Sequence, residues 1–376
     1  MAKYTTADQI DLPALAQRYE LGRVRLTPLV GGAANSRFRL SCASGKFVLT
    51  ILDSHDWSSA QRLAAHTHAV FRLGVPTTEV VPAVGGALIT QLGDRPVILK
   101  KWIPGEVRQP LPVPHLPEAG RILARLHALS LRSLGCGDIP VGARRLSSNH
   151  MAEIPRFADG DFAAWLTDWL DRVRAVEAEN ERPSRVVHGD LLVDNVIVRE
   201  DGRLSVLDWE TISLDDPLLD LGMAAVGLAQ DGGVLAPRRL DALLAGFGDV
   251  APLSDDDAAA LPMEIVHAAL IIAFHRYYRH NVRFPDPPGA PSTGRWSGSW
   301  TRWRRRLHCL ADKRCDRARR SLICFMLRRP VWPGEPSSAS TARASLRERG
   351  PSGAEACGLR LTATKSTRPL GVSVGG

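Results

Sequence analysis

The sequence predicts an α+β protein of two lobes. A small five-stranded antiparallel N-terminal lobe precedes a larger, mainly helical C-terminal lobe, and an irregular basic tail follows. Three observations carry that expectation. Between Val24 and Ile103, short runs of β-branched and aliphatic residues alternate with Gly-containing turns, interrupted by one helical stretch. From Pro117 onward the apolar residues recur at helical spacing. Beyond Pro285 neither period persists, and the composition turns to Arg, Ser, Gly and Pro. The lobes are drawn at 1–101 and 102–286, with the tail at 287–376.

In the first lobe, residues 8–20 read as a short helix with Leu12, Leu15, Ala16 and Tyr19 on one face. Residues 24–30 and 36–40 read as strands around Gly31-Gly32-Ala33-Ala34-Asn35, 45–51 as a third strand, and 58–73 as a helix ended by Gly74-Val75-Pro76. Residues 79–81 and 87–91 are expected to pair through Gly85-Gly86. A last strand, 96–103, leaves through Pro104-Gly105.

The second lobe opens with an amphipathic helix over 117–131, with Ile122, Leu123, Leu126 and Leu129 on one face and His127 as a packed or capping residue. Residues 132–160 read as linker, and 161–181 as a helix whose stripe of Trp165, Trp169, Val173 and Val176 is core. Further helices are expected at 217–228, at 237–247 and after Ser254, where Ser254 and Asp257 resemble a capping box. Pro262 is expected to break that helix and start the next, through Ile265, Ala268, Ile272 and Phe274. Its end, 274–284, is aromatic and basic. It reads either as a nucleic-acid patch or, better suited to an acidic body, as a helix end facing substrate or packing between lobes.

Charge is unevenly placed. The 376 residues carry a net +8, but residues 287–376 alone carry +13, which leaves the body at −5. A nucleic-acid partner is therefore not expected for the body, although the tail could bind acidic partners non-specifically. A disordered basic tail, a partly helical appendage and a run read out of its ancestral frame all fit residues 287–376. No signal-peptide region is evident, and the apolar stretch 265–274 is interrupted by His267 and too short to span a bilayer. A cytoplasmic protein with no membrane partner is expected. Cys42 and Cys136 fit buried thiols in a reducing compartment. Oligomeric state is not legible.

The chemistry concentrates in one stretch. His188-Gly189-Asp190 is separated by four residues from Asn195, which is followed by an apolar run, the turn Glu200-Asp201-Gly202-Arg203, a second apolar run and Asp208. In a hairpin of that length Asn195 and Asp208 lie at the same open end. Two oxygen ligands side by side suit Mg²⁺, which takes its remaining ligands from water and phosphates. Phosphoryl transfer needs a carboxylate near the attacking hydroxyl and cations on the phosphates. Asp190 fits the first need, and Asn195 with Asp208 the second. A turn with capping aspartates would explain any one of these residues, but explains the joint pattern less well.

His188-Gly189-Asp190-Leu191 through Asp194-Asn195, followed by Leu207-Asp208-Trp209-Glu210, resembles the aminoglycoside phosphotransferase and choline kinase-like superfamily over roughly residues 20–285. That resemblance implies a protein-kinase-like fold, with ATP and Mg²⁺ used to phosphorylate a hydroxyl of a small molecule. It implies Asp190 as base, Asn195 and Asp208 as metal ligands, His188 as a residue that steadies the loop, and Asp220 as its brace. Gly31 and Gly32 would cover the nucleotide phosphates with Asn35 holding the loop, while backbone groups from Leu99 to Trp102 would meet adenine at the hinge.

One departure stands out. The position that ordinarily carries the phosphate-binding Lys is Thr50, and the following helix has no Glu, so the usual Lys–Glu pair cannot form. Arg39 and Lys46 are the candidates to replace it. Val48-Leu49-Thr50 resembles homoserine kinase-like members, which implies a hydroxy amino acid as acceptor. An aminoglycoside would want an acidic platform, for which Glu210, Asp215 and Asp216 are available. A nucleotide-binding pseudokinase or scaffold with a basic interaction tail is the alternative to an enzyme.

Overall fold

Alternation builds the first lobe. Along 36–51 every second side chain is large and apolar, so a pleated strand buries Phe38, Leu40, Phe47, Leu49 and Ile51 on one face and turns Arg37, Arg39, Val48 and Thr50 to the other. The computed structural model describes residues 5–29, 35–135, 139–179, 181–231 and 234–283. Gly31, Gly32, Cys136 and the basic tail lie outside the described residues.

After helix α1 (Leu12–Arg18) come strands β1 (Arg25–Pro28), β2 (Ser36–Cys42) and β3 (Gly45–Ile51), then helix α2 (Trp57–Arg72), β4 (Thr90–Leu92) and β5 (Arg95–Lys101). They form the expected five-stranded antiparallel sheet, in the order β1-β2-β3-β5-β4. The five-stranded antiparallel sheet followed by a mainly helical part is the expected α+β architecture. One sheet face packs on Leu15 and Tyr19; the other carries Ile98 against Leu63 and Ala64 of α2.

The expected hairpin over 79–91 is corrected. Residues 79–81 contribute only the single bridge Val80–Lys100, and Gly85-Gly86 merely turns the chain so that Ala83 N–H donates to Ala87 O at 2.8 Å. Pro82 has no N–H to extend a ladder. The edge hairpin is instead β4–β5, with Leu92 paired to Arg95 around Gly93.

The second lobe contains β6 (Gly105–Glu106), α3 (Leu116–His127), α4 (Leu131–Leu134), α5 (Ser148–Glu153), α6 (Gly160–Glu179), β7 (Arg185–Val187), β8 (Val196–Arg199), β9 (Leu204–Val206), β10 (Ser213–Asp215), α7 (Pro217–Leu228), α8 (Pro237–Gly248) and α9 (Asp255–Tyr277). The supposed linker 132–160 thus holds a helix, α5. Ser147 caps it by accepting from His150 N–H, a local signal that outweighs the Gly- and Pro-containing surroundings. The Trp stripe of α6 is core, where Trp169 and Val173 pack on Leu270 and Phe274 of α9.

Pro262 does not break its helix. α9 runs unbroken through it, although Pro removes one backbone donor. Burial of α9 against α7 supplies the compensation. Gly222 of α7 comes so close to α9 that an added Cβ would sit 2.7 Å from Glu264 O. Continued by a π-helical turn, Tyr278–Arg283, this helix is long and apolar enough by composition to cross a membrane, unlike the short stretch read from sequence. Most of that apolar surface is buried inside the protein.

Candidate active site

Strand β7 delivers His188 and Gly189 to a buried turn. Gly189 sits at φ 79°, and a Cβ there would lie 2.9 Å from Thr211 O, so the loop demands glycine on both counts. The Asp220 carboxylate, from the first turn of α7, fixes the turn by accepting from His188 N–H at 2.9 Å and Gly189 N–H at 2.8 Å. His127 of α3 donates to the same carboxylate at 3.0 Å. Burial alone would raise the Asp220 pKa. The His127 bond and neighbouring donors outweigh it and hold the carboxyl below its ordinary range.

His188 is wholly occupied as structure. Its Nε2 donates to Leu207 O at 3.0 Å, Nδ1 accepts from Asp190 N–H at 3.2 Å, and the ring packs 4.7 Å from Trp209. It therefore ties the 190 loop to the end of β9 and presents no ring nitrogen to a substrate.

Asn195 joins the two halves of the site. Its amide donates to Asp190 O at 2.9 Å and reaches the Asp190 carboxylate at 3.4 Å, while its own carbonyl accepts from Leu207 N–H at 2.8 Å. The β8–β9 hairpin thus brings Asn195 and the residue after Leu207, Asp208, to one end, as its length requires. Asp208 has φ 67°, a conformation that β-carbon residues avoid and that strained sites retain. Both residues line a cavity of about 260 Å³ between sheet and loop. Asp190 is not among its lining residues but stands behind Asn195. Burial raises the Asp190 pKa and Asp208 adds to the rise, opposed by Arg144, His188 and the Asn195 bond.

The sheet wall differs from expectation. Lys46 is exposed at the far end of β3 and does not line the cavity. Arg39 stacks over Trp102 at 5.9 Å. Two cations that sequence reasoning missed occupy the wall. Arg37 pairs directly across from Thr50 and lies 3.7 Å from the Asp208 carboxylate. Lys100 of β5 pairs with Val48 on the same face and lines the cavity beside Asp208 and Glu210. Burial pulls the Lys100 pKa down, against the attraction of those two carboxylates. Glu210 shifts upward through burial and the nearby Asp208. It accepts from the Asn35 amide at 3.0 Å, so Asn35, buried and lining the cavity, bridges the first hairpin to the hairpin of the second lobe.

The hinge reading needs correction at Leu99. Its side chain lies in the core on the opposite sheet face, and its carbonyl accepts from Val81 N–H at 2.8 Å. The Trp102 N–H is likewise spent on Lys46 O at 3.0 Å, and Lys101 O accepts from Thr78. The first backbone groups past the sheet are the Trp102 carbonyl and Ile103 amide, and both residues line the cavity.

On the far side of Asp190, Arg144 places Nη2 2.9 Å from its Oδ1. Arg144 also borders His275, whose pKa falls to about 3 through burial first, then Arg144 and His150. Two of the three residues of the supposed acidic platform are neutralised, while Glu210 stays in the cavity. Asp215 is held by Arg145 at 2.6 Å and Asp216 by Arg182 at 2.8 Å. Glu177, Glu264 and His267 cluster at a spacing a metal could use, but Arg145 reaches Glu177 at 2.7 Å and Arg182 reaches Glu264 at 3.4 Å. Neither Arg144 nor Lys100 had a local signal. The first lies in the presumed linker, and the second depends on strand register.

Residues 25–253 match the phosphotransferase enzyme family designated APH. The chain belongs to that family. It is a small-molecule phosphotransferase. Among curated relatives it is 28% identical to a homoserine kinase of Methylocella silvestris, an alignment covering 77% of this chain and 91% of that protein. It is 27% identical to a homoserine kinase of Rhodospirillum rubrum, with the same shares covered. Solved structures of similar fold include a choline/ethanolamine kinase family protein from Mesorhizobium loti (TM-score 0.57, 15% identity, 84% of this chain and 97% of that one). Spectinomycin phosphotransferase, in complex with ADP and spectinomycin, is another (TM-score 0.54, 13% identity, 74% and 91%).

Proposed function

We propose that this phosphotransferase uses ATP and Mg²⁺ to phosphorylate the hydroxyl of a small hydroxy amino acid resembling homoserine, with Asp190 as base. The observation that carries the reading is the Asn195 bridge. One amide contacts Asp190 on one side while its residue shares a cavity with Asp208 on the other. A base for the acceptor and a hard-oxygen pair for a cation are thereby held a few ångströms apart.

The donor set fits magnesium nucleotide: a carboxylate and an amide oxygen, with cations on the facing sheet. Asn195 and Asp208 would hold the metal, which when bound neutralises charge on the phosphates. An amicoumacin kinase of similar fold was solved with AMP-PNP and Ca²⁺, in keeping with that use of the cavity. Asp190 accepts the acceptor's proton, and its raised pKa makes it a stronger base than an exposed carboxylate. The acceptor class is taken from the relatives, and charge is in keeping with it. Arg144 beside Asp190 suits a substrate carboxylate, and the relatives act as homoserine kinases by name. A polycation would meet Arg144, and of the three acids suggested for it Asp215 and Asp216 are already paired to arginines.

The test is phosphorylation of L-homoserine, choline, simple sugars and kanamycin by the full chain with ATP and Mg²⁺. Homoserine is expected to be the preferred acceptor. Asp190→Asn should lower kcat by about 10²- to 10⁴-fold, with nucleotide affinity retained. Equal turnover by both proteins removes the role given to Asp190. MgATP binding with no transfer to any acceptor would mark a pseudokinase instead.

A further inference from the structure

We propose that Lys100, entering from β5, grips the nucleotide phosphates in place of the lysine missing at position 50. This rests on the reading of the cavity as the nucleotide site.

Register makes the substitution feasible. Thr50 pairs with Ile98 and Val48 with Lys100, so Lys100 emerges on the same sheet face as Thr50, one strand over and two pairs along. A side chain from there reaches the region that a cation on β3 would occupy. Lys100 lines the cavity together with Asp208, Glu210 and Arg37, the residues around the proposed metal pair. Adenine would sit at the other end, against Trp102 and Ile103.

The other cations are committed. Arg37 lies on Asp208, Lys101 is 2.6 Å from Glu79, and Arg39 stacks on Trp102. Lys100 forms no ion pair among the described residues. An inward-facing ammonium without an ion pair is unfavourable to folding. Its presence is accounted for by an anion that arrives from outside. Helix α2 contains no Glu, so no helix carboxylate is available to pair with Lys100.

The experiment uses the full chain with Lys100→Met and Lys100→Arg. It measures MgATP affinity by calorimetry and the melting temperature without nucleotide. Lys100→Met should weaken MgATP binding roughly 10- to 100-fold, the effect of losing a charge-assisted hydrogen bond. Its melting temperature should equal or exceed the parent's, since an unpaired charge has gone. Lys100→Arg should bind more tightly than Lys100→Met but more weakly than the parent, because a guanidinium fork replaces a point charge. Parental affinity in Lys100→Met overturns the proposal. So does a loss of melting temperature in both variants with affinity unchanged, which marks a structural cation. Should Lys100→Met fail to fold, Lys100→Arg decides, with reduced affinity at parental melting temperature in support and parental affinity against. A parent that binds no MgATP defeats the nucleotide reading of the cavity itself, a failure distinct from that of Lys100.

Discussion

The two walls of the cavity are both dense in charge, yet they are assembled in opposite ways. The loop wall takes Asn195 and Asp208 from one stretch of 21 residues that also carries His188 and Asp190 behind it, and Asp220 and His127 brace that stretch. The sheet wall takes Asn35 and Arg37 from the start of β2 and Lys100 from β5, strands whose alignment is set through β3 by cross-strand pairing. On the first, spacing along the chain nearly dictates spacing in space. On the second, a residue's position depends on register, and a slip of one would send Lys100 to the core face where Leu99 now lies. Contiguous chemistry is therefore robust to read and intolerant of local change, while register-built chemistry is hidden in sequence and should tolerate substitution on the neighbouring strand.

That contrast can be broken by mutation. The largest effect is expected at Asp220. Asp220→Ala leaves the His188 and Gly189 amides and His127 without their shared acceptor, and should cost about 3 kcal/mol or more in denaturant unfolding. Activity should fall with it, since the loop at 190 loses its brace. A stable, active variant would mean the loop holds itself. Next is Gly189→Ala, which forces a side chain to positive φ against Thr211 and should cost about 1–3 kcal/mol. Parental stability there would contradict the steric account of the turn.

Acid titration offers a smaller, more selective probe. The folded His275 pKa lies at about 3, well below the ordinary 6.5, because burial and Arg144 disfavour the charged ring. Its contribution to stability is therefore full above pH 6.5 and is lost as pH falls from there toward 3. His275→Phe should flatten that part of the stability–pH curve. Glu177 is held down to about 2: burial opposes this, but His267 and Arg145 prevail. Its contribution is full above the ordinary glutamate value of 4.5 and is lost progressively as pH falls from there to about 2. A His275→Phe curve that matches the parent would remove His275 as the source of the earlier loss. The smallest effect belongs to Lys46→Met, at the exposed end of β3. It should leave MgATP affinity within about two-fold, in line with solvent-screened surface charge. A large loss would reinstate Lys46 as a phosphate contact.

How much was legible follows from the same division. The two-lobed α+β fold and the five-stranded sheet were readable from the change in hydrophobic period, and the Asp190–Asn195 contact from their four-residue separation. The edge hairpin was misplaced because Gly85-Gly86 gives the same local signal whether or not strands pair across it. Pro262 was misread because the packing of α9 on α7 through Gly222 is a tertiary effect that overrides a local breaker. Arg144 was invisible because residues 132–160 have little periodicity, and its partner Asp190 is 46 positions away. Lys100 was passed over in favour of Arg39 and Lys46 because which face a strand residue takes depends on register with its neighbours, and adjacent residues point to opposite faces.

The most direct test of the account is ATP binding with and without Mg²⁺, measured by calorimetry on the parent, Asp208→Asn and Asp190→Asn. The parent should bind ATP more tightly with the metal than without it. Asp208→Asn should lose most of that difference, while Asp190→Asn keeps it and loses transfer to the acceptor. A metal dependence untouched by Asp208→Asn, together with undiminished transfer in Asp190→Asn, would contradict the arrangement of cation at one wall of Asn195 and base at the other.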